Sequence, residues 1–169
     1  KDELRRKFGI ALQNDTIFND TLRENITFGR EVTEVQTTHA AEIANLAEFI
    51  ERLEGKYDYM ADIKGANLSG GQKQRTLIAR AVAARPEILI LDDSSSALDY
   101  KTDASLRRSI QQELGDTTLI MVAQRASSIM NLTNILVLEE GRIIGYGKHD
   151  DLQQSCPVYR DICQAQLNA

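Results

Sequence analysis

No stretch of this chain approaches the ~20 consecutive apolar residues that span a bilayer, so any membrane role has to come through a partner or another segment. There is no excess of positive charge either: 20 Lys and Arg face 25 Asp and Glu, giving a net charge of −5. That balance argues against a dedicated nucleic-acid binder. Cysteine is scarce. Cys156 and Cys163 stand apart from both histidines, so they read as ordinary thiols rather than metal ligands or a disulfide scaffold. No internal repeat or low-complexity segment is present. Lys1-Asp2-Glu3-Leu4 spells a retention tetrapeptide, but that address works only at a C-terminus. What remains is 169 residues, 42% hydrophobic and 27% charged, enough for one globular domain with a real core.

The apolar pattern alternates between strand and helix. Phe8 to Leu12 reads as a buried strand, and Thr33 to Leu53 as two short helices. Glu54 to Asn67 is irregular. Ser69 begins a helix as its N-cap, with Gln72 three residues on completing a capping box, and the helix stops before Pro86. Ile88 to Leu91 is apolar throughout, the pattern of a parallel strand buried on both faces. A helix from about Lys101 to Leu114, a strand from Thr117 to Val122, a hairpin turning at Glu139-Glu140-Gly141 and two C-terminal helices complete the reading. Asn14 to Asn25 reads as polar and turn-rich. The alternation predicts an α/β sheet with ligands at the carboxyl ends of its strands. The helical stretch of about 33–84 reads as a subdomain inserted between about 1–32 and 85–169, which supply the α/β core.

Two runs carry the chemistry. Leu68-Ser69-Gly70-Gly71-Gln72 opens a helix with two glycines, where amide groups and the helix dipole favour an anion and a phosphate can approach the backbone. By itself this string is also an ordinary flexible cap. One helix later, Ile88-Leu89-Ile90-Leu91 ends in Asp92-Asp93, carboxylates placed where magnesium-bound phosphates sit in strand-end sites. By itself this pair is also an ordinary solvated turn.

In this order and spacing the two runs resemble the LSGGQ signature and Walker B strand of ABC-type ATPases. The resemblance implies a partial P-loop NTPase (RecA-like) core with an inserted α-helical subdomain, and Mg-ATP as the ligand. It implies that Asp92 holds magnesium, usually through water, and that Asp93 stands where most members carry a Glu that acts as base or positions water. Asp is one methylene shorter, about 1.5 Å of reach. Ser96-Ala97-Leu98-Asp99 resembles the D-loop, with Asp99 also suited to cap the following helix. Gln13 matches the Q-loop glutamine that reaches magnesium and the attacking water, and the run Asn14 to Ile26 after it resembles exporter-type subunits, which receive a coupling helix of the membrane domain there. Met121 to Arg125 resembles the switch region, but Gln124 replaces the usual His. An amide can donate to a phosphate but cannot carry charge or shuttle a proton. His39 and His149 lie elsewhere and read as structural.

The resemblance covers essentially all of the chain but only the later part of a nucleotide-binding domain. No G-x-x-x-x-G-K-[ST] is present: Gly55-Lys56 leads to Tyr57, and Gly147-Lys148 to His149. The chain therefore reads as an incomplete ABC ATPase domain, inactive alone. The expected whole is an ATP-binding subunit of an exporter on the cytoplasmic face of the membrane, paired with a second nucleotide-binding domain and no nucleic acid. In such a pair Gln13, Asp92, Asp93 and Gln124 serve the subunit's own nucleotide, while Ser69, Gly70, Gly71 and Gln72 serve the partner's and Asp99 contacts the opposite site. Asp93 and Gln124 together predict the degenerate-site half of a heterodimer. The alternatives are a non-hydrolytic regulatory half and a soluble ABC ATPase outside transport.

Overall fold

The computed structural model describes residues 2–167 of the chain. Its contacts fall into two compact units, the first running to Val122 and the second covering Ala123 onward.

In the first unit, a short helix α1 (Asp2–Arg6) leads into strand β1 (Phe8–Ala11). Helices α2 (Leu22–Thr27), α3 (Glu34–Ile43), α4 (Ala47–Glu51) and α5 (Gly70–Val82) follow. Strand β2 (Ile88–Asp92), helix α6 (Tyr100–Glu113) and strand β3 (Thr118–Val122) complete it. Two single 3-10 turns, Lys56–Asp58 and Ile63–Gly65, occupy the irregular stretch before α5.

The helices begin where side-chain caps are available. Thr21, Thr33, Ser69 and Asp99 each accept an amide from the first turn of α2, α3, α5 and α6, satisfying a donor that the helix itself cannot. At Thr33 and Ser69 the reciprocal glutamine, Gln36 or Gln72, bonds back to the cap amide. Helix α2 falls in the stretch expected to be turns, and α1 was not anticipated; both are too short to show an apolar period.

The three strands are parallel in the order β1-β2-β3. Phe8 pairs with Ile88 and Ile88 with Thr118; two residues on, Ile10, Ile90 and Ile120 form a row across the sheet. One face of the sheet is covered. Ala11, Leu89 and Leu91 are buried with Leu77, Ile78, Ala81 and Val82 of α5, Leu22 and Ile26 of α2, Ile43 of α3, and Leu106 and Ile110 of α6. Contact between α5 and β1 is close enough to require Gly9, where a Cβ would lie 2.2 Å from the carbonyl oxygen of Ala81. The other face carries Ile10, 43% exposed, and Ile120, 48% exposed. The burial on both faces expected of Ile88–Leu91 is thus corrected: in β2 Leu89 and Leu91 are buried and the intervening residues half-buried, and β1, expected to be buried, likewise alternates, with Ile10 exposed.

In the second unit, a short helix α7 (Ala126–Ile129) precedes the antiparallel hairpin of β4 (Ile135–Glu139) and β5 (Arg142–Gly147). Glu140 and Gly141 both take positive φ, 47° and 76°, as a two-residue hairpin turn requires. Helices α8 (His149–Ser155) and α9 (Pro157–Leu167) follow. Ile135 and Val137 pack with Leu152, Cys156, Tyr159 and Cys163, so both cysteines are free, buried thiols. His149 holds the Tyr159 hydroxyl through Nδ1 at 2.9 Å, and His39 meets Glu113 at 3.1 Å. Among the described residues no helix is long and apolar enough to cross a membrane.

Candidate functional site

Two groups of predicted residues assemble in the first unit. The first lies at the start of α5. Ser69 has the extended backbone of a cap, with φ −66° and ψ 161°. Its Oγ accepts the Gln72 amide at 3.2 Å, and Gln72 Oε1 accepts the Ser69 amide at 2.7 Å. The box occupies those two donors and leaves the Gly70 and Gly71 amides at the positive end of a 13-residue helix. Gly70 has a second reason to be glycine, while Gly71 stands at ordinary contact distance from the same loop. A Cβ on Gly70 would sit 3.3 Å from the Ala97 Cβ, and one on Gly71 would sit 3.4 Å from Leu98 Cδ2. The Ala97–Asp99 loop therefore lies against the helix start. Together with Arg75 and Thr102 they line a cleft of about 510 Å³.

Asp99 borders this cleft and caps α6. It accepts from the Thr102 amide at 2.9 Å and the Thr102 hydroxyl at 2.8 Å, and these bonds hold its carboxyl below the usual carboxylate range. Arg75 donates to the Gly71 carbonyl at 3.2 Å and the Asn45 carbonyl at 2.6 Å. Burial lowers its pKa, and the charge of Asp99 works in the opposite sense. The cleft thus presents amides and a guanidinium beside one carboxylate, a setting for an anion.

The second group lies at the carboxyl ends of β1 and β2. Asp92 is the last residue of β2 and is half-buried. Asp93 turns sharply out of the strand with φ 44°, a left-handed conformation that Asp tolerates better than most residues. Its amide donates to the Val122 carbonyl at 2.9 Å. Its Oδ2 accepts the Gln13 side-chain amide at 2.9 Å, which brings together two predicted residues from just beyond the ends of adjacent strands. Among the described residues no group of three or more His, Cys, Asp or Glu could hold a metal ion. A lone strand-end carboxylate with a neighbouring amide suits a hydrated magnesium ion that arrives already bound to phosphates.

Gln124, the remaining predicted site residue, belongs to the second unit. Its carbonyl accepts the Gln166 side-chain amide at 2.7 Å, and Gln166 Oε1 accepts the Ala126 amide at 2.8 Å. Gln166 thus holds the backbone on both sides of Arg125, a role with no local signal in the sequence.

Against known proteins, the family profile described as ABC transporter matches residues 1–96. The chain belongs to the ABC transporter family. A bacterial Atm1-family ABC exporter solved with ATP bound superposes with a TM-score of 0.93 and 37% identity, over 99% of this chain and 30% of that one. Together with the family match, this establishes the fold as that of an exporter-type ABC nucleotide-binding domain, a partial P-loop NTPase core with its helical subdomain. An ABC transporter ATP-binding protein of Mycoplasma pneumoniae is 40% identical over 98% of this chain and 28% of its own length. ATP-binding cassette sub-family B member 6 of Xenopus tropicalis is 38% identical, over 98% and 20%. The leukotoxin translocation ATP-binding protein LktB of Mannheimia haemolytica is 38% identical, over 98% and 24%. The chain thus spans less than a third of the length of these ABC proteins.

Within this ABC domain the structure adds two residues that the sequence reading missed. Arg80, buried on α5, donates to the carbonyls of Asn25 at 2.7 Å and Thr16 at 3.0 Å, and to Asn25 Oδ1 at 3.0 Å. The rings of Phe18 and Phe28 lie over its guanidinium at 5.2 and 4.6 Å. Asn25 in turn accepts the Phe18 amide at 2.8 Å and donates to the Phe18 carbonyl at 3.0 Å. The run after Gln13 is therefore fixed from beneath by one arginine and one asparagine. Asn25 stood in a recognisable run; Arg80 had no signal beyond its place in a helix.

Proposed function

We propose that this chain is part of the nucleotide-binding domain of an exporter-type ABC transporter, and that the whole domain couples Mg-ATP binding and hydrolysis to transport. The observation that carries this reading is the Gln13–Asp93 hydrogen bond at the strand ends, in a chain that also carries a separate amide cleft at Ser69–Gly71. One chain thus holds parts of two nucleotide sites. Asp92, Asp93, Gln13 and Gln124 act on the nucleotide of the chain's own domain. Asp92 supports magnesium through water, and Gln13 and Asp93 orient the water that attacks the γ-phosphorus. Ser69, Gly70, Gly71 and Gln72, bordered by Asp99, receive the γ-phosphate of the second domain. The 169 residues contain no P-loop, so by themselves they neither bind Mg-ATP tightly nor hydrolyse it.

The Phe18 and Phe28 rings, 47% and 50% exposed and 5.4 Å apart, offer an apolar surface for a short cytoplasmic helix of the membrane domain. The domain works on the cytoplasmic face of the membrane through that contact. Crosslinkers at positions 15–22 of the full transporter should reach a cytoplasmic loop of its membrane domain. Crosslinks to nucleic acid or to a ribosomal partner would instead favour a soluble ABC ATPase.

The site at Asp93 is the slow half of a heterodimer. Its carboxylate is short by one methylene and already engaged by Gln13, and Gln124 cannot carry a proton. A strictly non-hydrolytic, regulatory half is the second reading, supported by the same two residues. In the full transporter Ser69→Ala should abolish most turnover, whereas Asp93→Asn should cost little. Brisk turnover by a homodimer, lost on Asp93→Asn, would make Asp93 a competent base and remove the asymmetry.

A further inference from the structure

Gln74 lies one turn inside α5 and has no part in the sites above. Its Oε1 accepts the Ala97 amide at 2.8 Å, and its Nε2 donates to Ser96 Oγ at 2.9 Å. The Ser96 hydroxyl donates in turn to the Asp93 carbonyl at 3.1 Å. Asp93 accepts from Gln13 through its carboxylate. One series of hydrogen bonds therefore runs from Gln13 through Asp93 and Ser96 to Gln74, on the helix whose first turn is Ser69–Gly71. A side-chain amide suits this position because it accepts through one atom and donates through the other. A carboxylate there could only accept, and an aliphatic side chain could do neither. The packing agrees: Ala97 and Leu98 lie directly against Gly70 and Gly71 at the start of the helix.

We propose that Gln74 is a positioning residue that locks the Ser96–Asp99 loop to the signature helix, so that events at Gln13–Asp93 are felt at the Ser69–Gly71 cleft. The inference rests on the transporter reading and adds to it a coupling element between the two nucleotide sites. Gln74 touches neither nucleotide; it acts through Ser96 and Ala97. The bracket sets the register of the loop, while the Ser96 link carries the state of the Asp93 turn.

The test uses the full transporter with three substitutions, Gln74→Ala, Gln74→Glu and Ser96→Ala, and steady-state hydrolysis over a range of Mg-ATP concentrations. Gln74→Ala removes the bracket. It should lower kcat roughly tenfold to a hundredfold, the scale of an ångström-sized misplacement, with KM unchanged within about twofold. KM is spared because the Ser69–Gln72 capping box does not involve Gln74. Gln74→Glu still accepts the Ala97 amide but draws the Ser96 proton away from the Asp93 carbonyl. It should therefore recover most of kcat. It should nevertheless share with Ser96→Ala a loss of cooperativity toward ATP, read as a Hill coefficient falling to about 1. An unchanged kcat in Gln74→Ala overturns the inference. So does a Gln74→Glu variant as slow as Gln74→Ala, or a kcat loss accompanied by a matching rise in KM and a lowered thermal midpoint, which would mark a purely structural residue. Ser69→Ala is the control. If it leaves turnover intact, the transporter reading fails and takes the inference with it. If Ser69→Ala stops turnover and Gln74→Ala does not, only the coupling role is lost.

Discussion

Gln13 and Asp93 meet at 2.9 Å, amide to carboxylate, although each follows the end of a different strand. The contact ties together the two side chains that the proposed function assigns to the attacking water. A glutamate at position 93 would reach about 1.5 Å further and could stay bonded to Gln13 while also facing the phosphate. The left-handed φ of 44° at this residue is permitted to Asp and costs Glu somewhat more. Asp93→Glu with Gln124→His, in a full transporter whose partner site has been disabled, should raise hydrolysis at least about tenfold, an expected effect of restoring a positioned base. Single-turnover hydrolysis measures it. No gain would mean that these two positions do not set the rate of hydrolysis at this site.

Arg80 should be the most sensitive polar residue of the first unit. Burial pushes its guanidinium below the usual arginine value, Asp15 pulls it back, and its partners are three oxygen atoms from the run around Thr16 and Asn25. Removing it takes a donor from all three and strips the buried Asn25 carbonyl of its 2.7 Å bond, while Asn25 Oδ1 keeps the Phe18 amide. Arg80→Ala should destabilise the folded chain by about 3 kcal/mol, seen as a lower urea midpoint. Arg80→Lys should rescue little, because an ammonium cannot reproduce the planar fork or the stacking between two rings. If lysine restores the midpoint, charge alone matters and the geometry does not.

What the sequence disclosed and what it hid divide by range. The Ser69–Gln72 capping box and the Asp99 cap were legible because both partners lie within three residues of each other. The turn was legible from Gly141, which readily takes the positive φ a hairpin needs; the left-handed φ of Glu140 had no such signal. Asp92, Asp93 and Gln13 stood out as strand ends, yet nothing local says that Gln13 bonds Asp93 rather than water. Gln74 to Ser96 and Arg80 to Asn25 are likewise pairings across the fold, invisible to any period. Helix α2 was hidden differently. Thr21 and Glu24 do form its cap, but six residues are too few to show an apolar face. The apolar run Ile88 to Leu91 implied cover on both sides of the sheet, and the structure covers one.

That uncovered face predicts how the 169-residue chain behaves in solution. Ile10, Ile90 and Ile120 form a row across three parallel strands, with Leu12 and Val122 exposed beside it. Parallel sheets seldom leave such a face to water. The chain alone should self-associate through it, and Ile10→Glu with Ile120→Glu should return it to a monomer without altering the buried face. Light scattering with sedimentation decides the matter; a monomeric wild-type chain contradicts the expectation.

Gly9 offers a sharper test of the covered face. An alanine methyl there would lie 2.2 Å from the Ala81 carbonyl oxygen and 2.7 Å from Pro86 Cγ. Neither is the tip of a flexible side chain, so β1 or α5 has to move. Gly9→Ala should cost about 1–3 kcal/mol, the usual range for overpacking a core. Because β1 ends just before Gln13, the shift should also disturb the Gln13–Asp93 contact. A chemical-shift change at the Gln13 side-chain amide would report it. An alanine variant of unchanged stability would show that β1 and α5 are less tightly packed than their geometry indicates.

The second unit carries its own pH dependence. The Tyr159 hydroxyl is pushed up from an ordinary 10.0 to about 12, first by burial and then by neighbouring Cys163. Below pH 10.0 the phenol is neutral in the folded and unfolded chain alike, and the group adds no slope. Between pH 10.0 and about 12 the unfolded chain has lost this proton while the folded chain keeps it. The unfolded state then binds fewer protons, so stability falls as pH rises through that window. Tyr159→Phe cannot ionise and should remove this part of the alkaline slope, although it also gives up the bond to His149 and starts from a lower stability. Urea unfolding followed by circular dichroism at a series of alkaline pH values separates the two effects, because the lost bond shifts every midpoint while the lost ionisation changes only the slope. Parallel slopes for wild type and Tyr159→Phe would show that Tyr159 keeps its proton no better in the folded chain than in the unfolded one.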